Sequence, residues 1–380
     1  MEVLLRADAH NHPHARSAKR MEECLAVYDW SYEVARERGI KAVVDLGDVF
    51  HDRTHVDAYT HSRVYQSSRK ANKDGISTYF LLGNHDMYFR FDRRASSILA
   101  FEALGAVIHE PGTINIFDFP CNFFPYVEDA PGPELAEAFP RGERSDVLFF
   151  HAAIEGAIMN SASGRKREIE MADDTEMHED EIKECISPKF MDGWKLAVGG
   201  HYHMCQVVSE SPCKVMYAGS TIQHSFGEAG EEKGLWILNL ETLVMERIVN
   251  TFSPRFMTLD LIGAEDIGDV DVENCRLRVI LEEPSAKLIN KLRNQAVKAG
   301  AMAFQYKPVK KDRIDRGLHN ASISSAAAAV QDGRTMVNRW TNLHPQSDLR
   351  RDKLREVGYA ILEAASPHAI DDDIQENSPT

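Results

Sequence analysis

Short apolar runs alternating with amphipathic stretches organise residues 1 to about 250, the pattern of an α/β domain. Val3 to Leu5, Ala42 to Leu46, Thr78 to Leu82, Val147 to Phe150 and Leu196 to Val198 read as buried strands. Helical spacing fits between the first four, around Lys19 to Arg38, Val56 to Asn72 and Arg93 to Leu104. After Gly200 the texture changes to strands without long helices, at Lys214 to Tyr217, Gly234 to Leu240 and Leu243 to Val249. The expectation is two stacked sheets with helices outside.

A different unit begins at Phe256. Met257, Leu259 and Leu261 alternate as in a half-buried strand, and Leu277, Val279 and Leu281 repeat the alternation. Leu288, Leu292 and Ala296 recur at helical spacing, and Ala301 to Tyr306 reads as a further strand. The period changes from two to about 3.6 and back, which predicts a small β-β-α-β appendage. Residues 317 to 347 hold an Ala-rich, Ser-flanked stretch that reads as helix or linker. Asp348 to Glu363 is a charged amphipathic helix, with Leu354, Val357, Ile361 and Leu362 on its apolar stripe, and a disordered acidic tail follows. The predicted division is therefore 1–252, 256–316 and 317–380.

Composition narrows the class without naming a function. With 43% hydrophobic and 27% charged residues over 380 positions, the chain can bury a core without disulfides. The six cysteines contain no C-x-x-C pair and read as reduced core residues of a cytoplasmic protein. The polar Asp-Ala-His-Asn-His stretch near the start is unlike a signal peptide. No apolar run approaches the ~20 residues that span a bilayer. The net charge of −15 argues against an autonomous, charge-driven DNA binder. Base is nevertheless local, at Arg90, Arg93 and Arg94, at Arg165 to Arg167 and at Lys307 to Arg316. One face could therefore still take a polyanion.

Five short blocks carry the candidate chemistry, each just past a predicted strand. They are Asp8-Ala9-His10, Gly47-Asp48 with His51 following, Gly83-Asn84-His85-Asp86, Phe150-His151 and Gly200-His201-Tyr202-His203. In α/β sheets, ligands gather in the crevice at the carboxyl ends of strands. Asp8 and His10, two apart, would share a face of a straight strand. Asp48 offers two oxygens that can bridge two cations, Asn84 a neutral amide oxygen, and His151, His201 and His203 ring nitrogens. Oxygen and nitrogen donors without thiolate suit manganese, iron or zinc. Two divalent ions against the carboxylates of Asp8 and Asp48 leave about +2, enough to draw in a phosphate and activate a water. His85, beside a ligand on a turn, points elsewhere and is the candidate general acid, oriented by Asp86 or another carboxylate. His12, His14, His55 and His61 lack this context.

Together these blocks resemble the signature of the calcineurin-like metallophosphoesterases. Within that superfamily the chain looks most like the SbcD-type DNA repair nucleases, the bacterial and phage counterparts of the eukaryotic Mre nuclease. His51 in Gly-Asp-Val-Phe-His-Asp-Arg, the stretch Tyr217-Ala-Gly-Ser-Thr-Ile with Ser225-Phe-Gly-Glu-Ala and Lys233-Gly, and the position of the β-β-α-β unit carry that likeness. The resemblance implies a four-layer αββα sandwich with a DNA-capping domain and a dimanganese centre. Asp8, His10, Asp48 and His203 would hold one ion, and Asp48, Asn84, His151 and His201 the other. His85, with His51 and Asp86 beside it, would form the catalytic set. The implied activity is manganese-dependent exonuclease and endonuclease cleavage of DNA, in a homodimer bound to an SbcC-like coiled-coil ATPase through the C-terminal helix. Arg90, Arg93 and Arg94, among aromatics next to His85, are the expected DNA contacts. Two other readings compete: a phosphoesterase on small molecules or phosphoproteins, and a non-catalytic subunit that holds DNA ends.

Overall fold

The computed structural model describes residues 1–158 and 185–309. The C-terminal linker, helix and tail, the cluster Arg165 to Arg167 and most of Lys307 to Arg316 lie outside the described residues.

In chain order the first half runs β1 (Glu2–Arg6), α1 (Ala18–Glu37), β2 (Ala42–Asp45), α2 (Ala58–Lys73), β3 (Ser77–Leu81), a hairpin of β4 (Met87–Phe89) and β5 (Asp92–Ser96), and β6 (Gly105–Ile108). There follow β7 (Gly112–Ile116), β8 (Phe119–Phe124), α3 (Pro131–Ala138), β9 (Val147–His151), β10 (Leu196–Gly200), β11 (Gln206–Ser209), β12 (Lys214–Tyr217), β13 (Gly234–Asn239) and β14 (Met245–Val249). These strands build two six-stranded sheets, ordered β14-β13-β1-β2-β3-β6 and β11-β12-β10-β9-β8-β7. The centre of each is parallel, with Leu4 opposite Val43 in the first and Gly200 opposite His151 in the second.

Alternation along the strands builds the layers. Val3, Leu5, Val44 and Leu81 of the first sheet pack against Phe123, Phe149, Val198 and Met216 of the second, forming a core between the sheets. The opposite faces, through Leu4, Val43 and Phe80, meet Leu25, Tyr28 and Tyr32 of α1 and Val64 of α2. The second sheet turns Leu148, Phe150, Ala197 and Val215 outward against Leu135 of α3, Phe139 and Trp194. The result is the expected sandwich of two sheets with helices outside, its second outer layer thin.

Local signals set the helix ends. Ser17 and Asp57 cap α1 and α2, their side chains accepting from the amides of Arg20 and Thr60. Both helices stop alike: Gly39 and Gly75 take positive φ, and the amides of Ile40 and Ile76 reach back to Ala35 and Ala71, a glycine-terminated stop with an isoleucine leading into the next strand.

The helix expected at Arg93 to Leu104 is a correction. The chain there forms the β4–β5 hairpin, with Phe89 opposite Asp92, and then a short 3-10 turn at Leu99–Ala103. Ile98, Phe101 and Leu104 are all buried. Their spacing of three suits the three-residue 3-10 turn as well as it suits an α-helix.

The appended unit follows the predicted order. It comprises β15 (Arg255–Asp260), β16 (Cys275–Glu282), α4 (Ala286–Lys298) and β17 (Ala303–Val309), the strands forming one sheet in the order β15-β16-β17. Its core is Leu277, Val279, Leu281, Leu292 and Ala296. Among the contacts that tie it to the sandwich, Arg276 bonds Glu23 of α1 at 2.7 Å, and the Phe226 and Phe256 rings lie 4.7 Å apart. Among the described residues no helix is long and apolar enough to cross a membrane.

Candidate metal centre

Five strand ends deliver the site. Asp8 and His10 follow β1, Asp48 follows β2, Asn84 follows β3, His151 closes β9, and His201 and His203 follow β10. Asp8, His10, Asp48 and His201 have positive φ values of 50°, 42°, 56° and 99°. Such backbone costs roughly 1–3 kcal/mol per residue and persists where its surroundings enforce it. Here the loops enforce each other. The amides of Asp8, His10 and Asn11 donate to the carbonyls of Gly47, Asp48 and Val49 at 2.9–3.1 Å. Gly83 has to be glycine, because a methyl group there would collide with the Asp48 amide and carboxylate.

Each carboxylate divides its oxygens between backbone and centre. Asp8 Oδ1 accepts from the His201 amide at 2.8 Å, and Asp48 Oδ1 from the His85 amide at 2.8 Å. That leaves Asp8 Oδ2 buried without a hydrogen-bond partner. Asp48 Oδ2 faces His10 Nε2 at 3.6 Å and His151 Nε2 at 3.4 Å.

The remaining donors fall into two sets around Asp48. On one side His10 Nε2 faces His203 Nε2 at 3.0 Å, with Asp8 completing the group. On the other, Asn84 Oδ1 lies 3.1 Å from His151 Nε2 and 2.9 Å from His201 Nδ1. Two of the second ring nitrogens have fixed partners: His151 Nδ1 pairs with the Leu46 carbonyl at 2.7 Å and His203 Nδ1 with Glu228 at 3.0 Å. Such partners fix the tautomer and turn a bare nitrogen toward a metal. An orphaned carboxylate oxygen and lone pairs converging at 3 Å fit a pair of divalent cations, and these residues could hold them.

The electrostatics have the same cause. Burial raises Asp8 to about 6, although His151 and His203 pull the other way. Burial acts likewise on Asp48, but His151 and His85 outweigh it and hold the carboxylate below its usual range. Burial opposes a charge on His151, yet Asp48 and Asp8 lift it to about 9. Burial and the neighbouring His151 depress His201 to about 3. The raised His151 favours a protonated ring where metal ions would carry the charge instead.

His85 stands beside the two sets, its Nδ1 bound to the carbonyl of His51 at 2.5 Å. The expectation that Asp86 or another carboxylate orients it is corrected. The buried Asp86 carboxylate accepts from the amides of Asp48, Phe50 and Gly83, at 2.9, 3.1 and 3.2 Å, and so shapes the loop that carries Asp48. The His51 ring lies over His85, 5.4 Å away and nearly parallel, and its Nδ1 is 3.2 Å from His10 Nδ1. Arg90, Arg93 and Arg94 lie on or beside the hairpin that follows His85. Arg90 pairs with Glu128 and Arg94 with Asp92, both largely exposed, whereas Arg93 is held between Glu110 and Glu134.

Four contributors escaped the sequence reading. Glu228 binds His203 and Lys233, the Tyr126 ring lies 5.7 Å from that of His201, and His14 and His224 flank His10. Glu228 lies within the Ser-Phe-Gly-Glu stretch, so its only signal was membership of a motif without a stated role.

No family model matches the chain, and no curated protein matches it. Solved structures do resemble it. An archaeal phosphodiesterase is 13% identical over 66% of this chain and 100% of its own, with a TM-score of 0.34. A dimetal phosphatase from Danio rerio is 10% identical over 65% and 95%, with a TM-score of 0.40. A putative 5'-nucleotidase from Staphylococcus aureus is 11% identical over 65% and 52%, with a TM-score of 0.38. Likeness this slight carries no function.

Proposed function

We propose that this chain is a dimetal phosphoesterase whose substrate is DNA, cut at phosphodiester bonds. The observation that carries the reading is the pair of donor sets that share Asp48 Oδ2. Asp8, His10, Asp48 and His203 would hold one cation, and Asp48, Asn84, His151 and His201 the other. Two such ions supply the charge that draws in a phosphate and makes water nucleophilic near neutral pH. Manganese is the proposed ion, on a donor set of oxygen and imidazole without thiolate. His85 donates Nδ1–H to the His51 carbonyl, so its Nε2 is the atom that can carry a proton to the leaving oxygen. Glu228 and Leu46 keep His203 and His151 in the tautomers the donor sets require.

Support for a polymeric substrate comes from the hairpin next to His85. Tyr88, Phe89 and Phe91 are 53%, 56% and 74% exposed, and exposed aromatics beside arginines can stack on bases and meet phosphates. The competing substrate, a small phosphoester, is favoured by Arg93, whose charge Glu110 and Glu134 already neutralise. The SbcC-like ATPase partner and the homodimer are proposed from the family resemblance alone.

The deciding experiment presents the purified chain with manganese to labelled DNA and to a chromogenic phosphodiester in parallel. Metal-dependent cleavage of both is expected. Turnover of the small ester alone would remove DNA as substrate while leaving the metal centre in place. Inertness toward both with metal bound would overturn the enzymatic reading.

A further inference from the structure

A second group of metal-competent side chains lies behind the Asp8–His10 loop and belongs to neither donor set. It consists of His14, Cys24 and His224, with one ring nitrogen of each histidine and the cysteine sulfur all within 4.8 Å of one another. The three come from separate places: a short 3-10 turn at His14–Arg16, helix α1 and the loop before Phe226.

Hydrogen bonding fixes which nitrogens are available. His14 Nε2 lies 3.0 Å from the carbonyl of His10, and His224 Nε2 lies 3.0 Å from the carbonyl of Asp8. A carbonyl only accepts, so each Nε2 must carry the proton. Each Nδ1 is then left with a bare lone pair. His224 Nδ1 is buried and has no hydrogen-bond partner at all, a state that costs about 1–3 kcal/mol if nothing meets it. A histidine that donates one ring N–H to a backbone carbonyl keeps its other nitrogen available to a metal. Cys24 is buried in α1 at 2% exposure, with Val27 and Ile222 on its apolar side and the two imidazoles near its sulfur. The cations close by, Arg20 and Arg276, are both engaged by Glu23, at 3.1 and 2.7 Å.

We infer that His14, Cys24 and His224 form a third metal site, selective for zinc-class divalent ions, that pins the loop carrying Asp8 and His10. Two imidazoles and a thiolate make a softer set than the oxygen-rich pair around Asp48, and such sets select zinc or cobalt over manganese. On binding, the Cys24 S–H proton is released to solvent and the sulfur ligates as thiolate. The role is structural. His14 and His224 hold the carbonyls of His10 and Asp8, two residues of strained backbone, and an ion joining them to α1 would fix that strain in place.

Cobalt titration of the full-length, chelator-stripped chain tests this. Only a thiolate ligand gives a sulfur-to-cobalt charge-transfer band in the near ultraviolet, so the nitrogen and oxygen sets around Asp48 are silent there. The wild-type chain should show the band and bind one equivalent of cobalt beyond the dinuclear pair. Cys24→Ser should lose the band and that equivalent, and His14→Ala, at a half-buried position, should weaken both. Cys205→Ser and Asp48→Ala should keep the band, the latter even if the dinuclear pair is lost, which separates this site from the proposed catalytic one. A wild-type chain saturated with cobalt and lacking the band overturns the inference. So does a band that survives Cys24→Ser. Should Cys24→Ser be insoluble, a band unchanged in both His14→Ala and His224→Ala overturns it equally.

Discussion

At Asp48 one carboxylate oxygen accepts the His85 amide while the other faces His10 and His151. The loop geometry and the donor geometry are thus fixed by the same side chain, and Asp48→Ala should abolish binding of at least one metal together with activity. His85 differs: its Nδ1 is tied to the His51 carbonyl, its ring packs against those of His10 and His51, and it is the proposed proton donor. His85→Asn should therefore cut turnover by ~10²–10⁴ with metal content unchanged. Elemental analysis of the purified variant decides, and loss of both metals would return His85 to the ligands. Glu228 works one step further out. It holds His203 Nδ1 at 3.0 Å, and Lys233 at 2.9 Å balances its charge. Removing such a partner typically weakens metal affinity ~10–100-fold. Glu228→Gln should do so in a calorimetric metal titration, while circular dichroism stays as in the parent; unchanged affinity would make Glu228 a fold residue only.

Arg6 of β1 shows how an element is anchored from inside. Its guanidinium is buried, bonds Asp45 of β2 at 2.7 Å and Ser31 and Tyr32 of α1, and lies 3.6 Å from the centroid of the Tyr28 ring. Burial, with Asp48 adding to it, raises the Asp45 pKa despite this partner, so removing the guanidinium would strand an uncompensated carboxyl. Arg6→Met should lower unfolding stability by about 3–5 kcal/mol in urea titration, and a loss under about 1 kcal/mol would show that the pair is dispensable. The strands that carry the ligands were legible in the sequence because each is a continuous apolar run ending in a glycine or a polar block, a pattern with few alternative folds. The β7–β8 pair was not, because Gly112 to Ile116 alternates buried and exposed positions without standing out from a loop. The hairpin at Met87 to Ser96 was hidden for a related reason: the buried triplet Ile98, Phe101 and Leu104 satisfies a helical period while forming a 3-10 turn. That hairpin now carries a test of its own. Replacing Tyr88 and Phe91 by serine should weaken DNA binding by about 1–3 kcal/mol per base unstacked and leave the chromogenic diester untouched. Equal losses on both substrates would show that the hairpin supports the metal centre instead.

Over the whole molecule the chain is acidic, at −15, and the described part gathers its candidate donors at one end of the sandwich. The convergence of these candidate donors could be read from sequence because the fold only had to bring strand ends together, a property of any parallel sheet. The partners of the ligands could not, because Glu228, His224 and Asp86 act through contacts that no spacing encodes. Nor does any spacing assign a task to the residues beyond 309. Residues Met1 to Pro308 form a compact unit by themselves, with separate apolar cores between the sheets, on both outer faces and in the appended sheet. A chain stopped after residue 316 should therefore stay soluble, bind manganese and keep its metal-dependent hydrolysis. If Leu354, Val357, Ile361 and Leu362 form the apolar face proposed to dock on an ATPase, the shortened chain should fail to co-purify with that ATPase and lose stimulation by ATP. Retained binding at unchanged affinity would place the docking surface within the first 316 residues. Insolubility would show instead that the C-terminal apolar residues cover part of one of these cores, and the proposed partner helix would be an internal one.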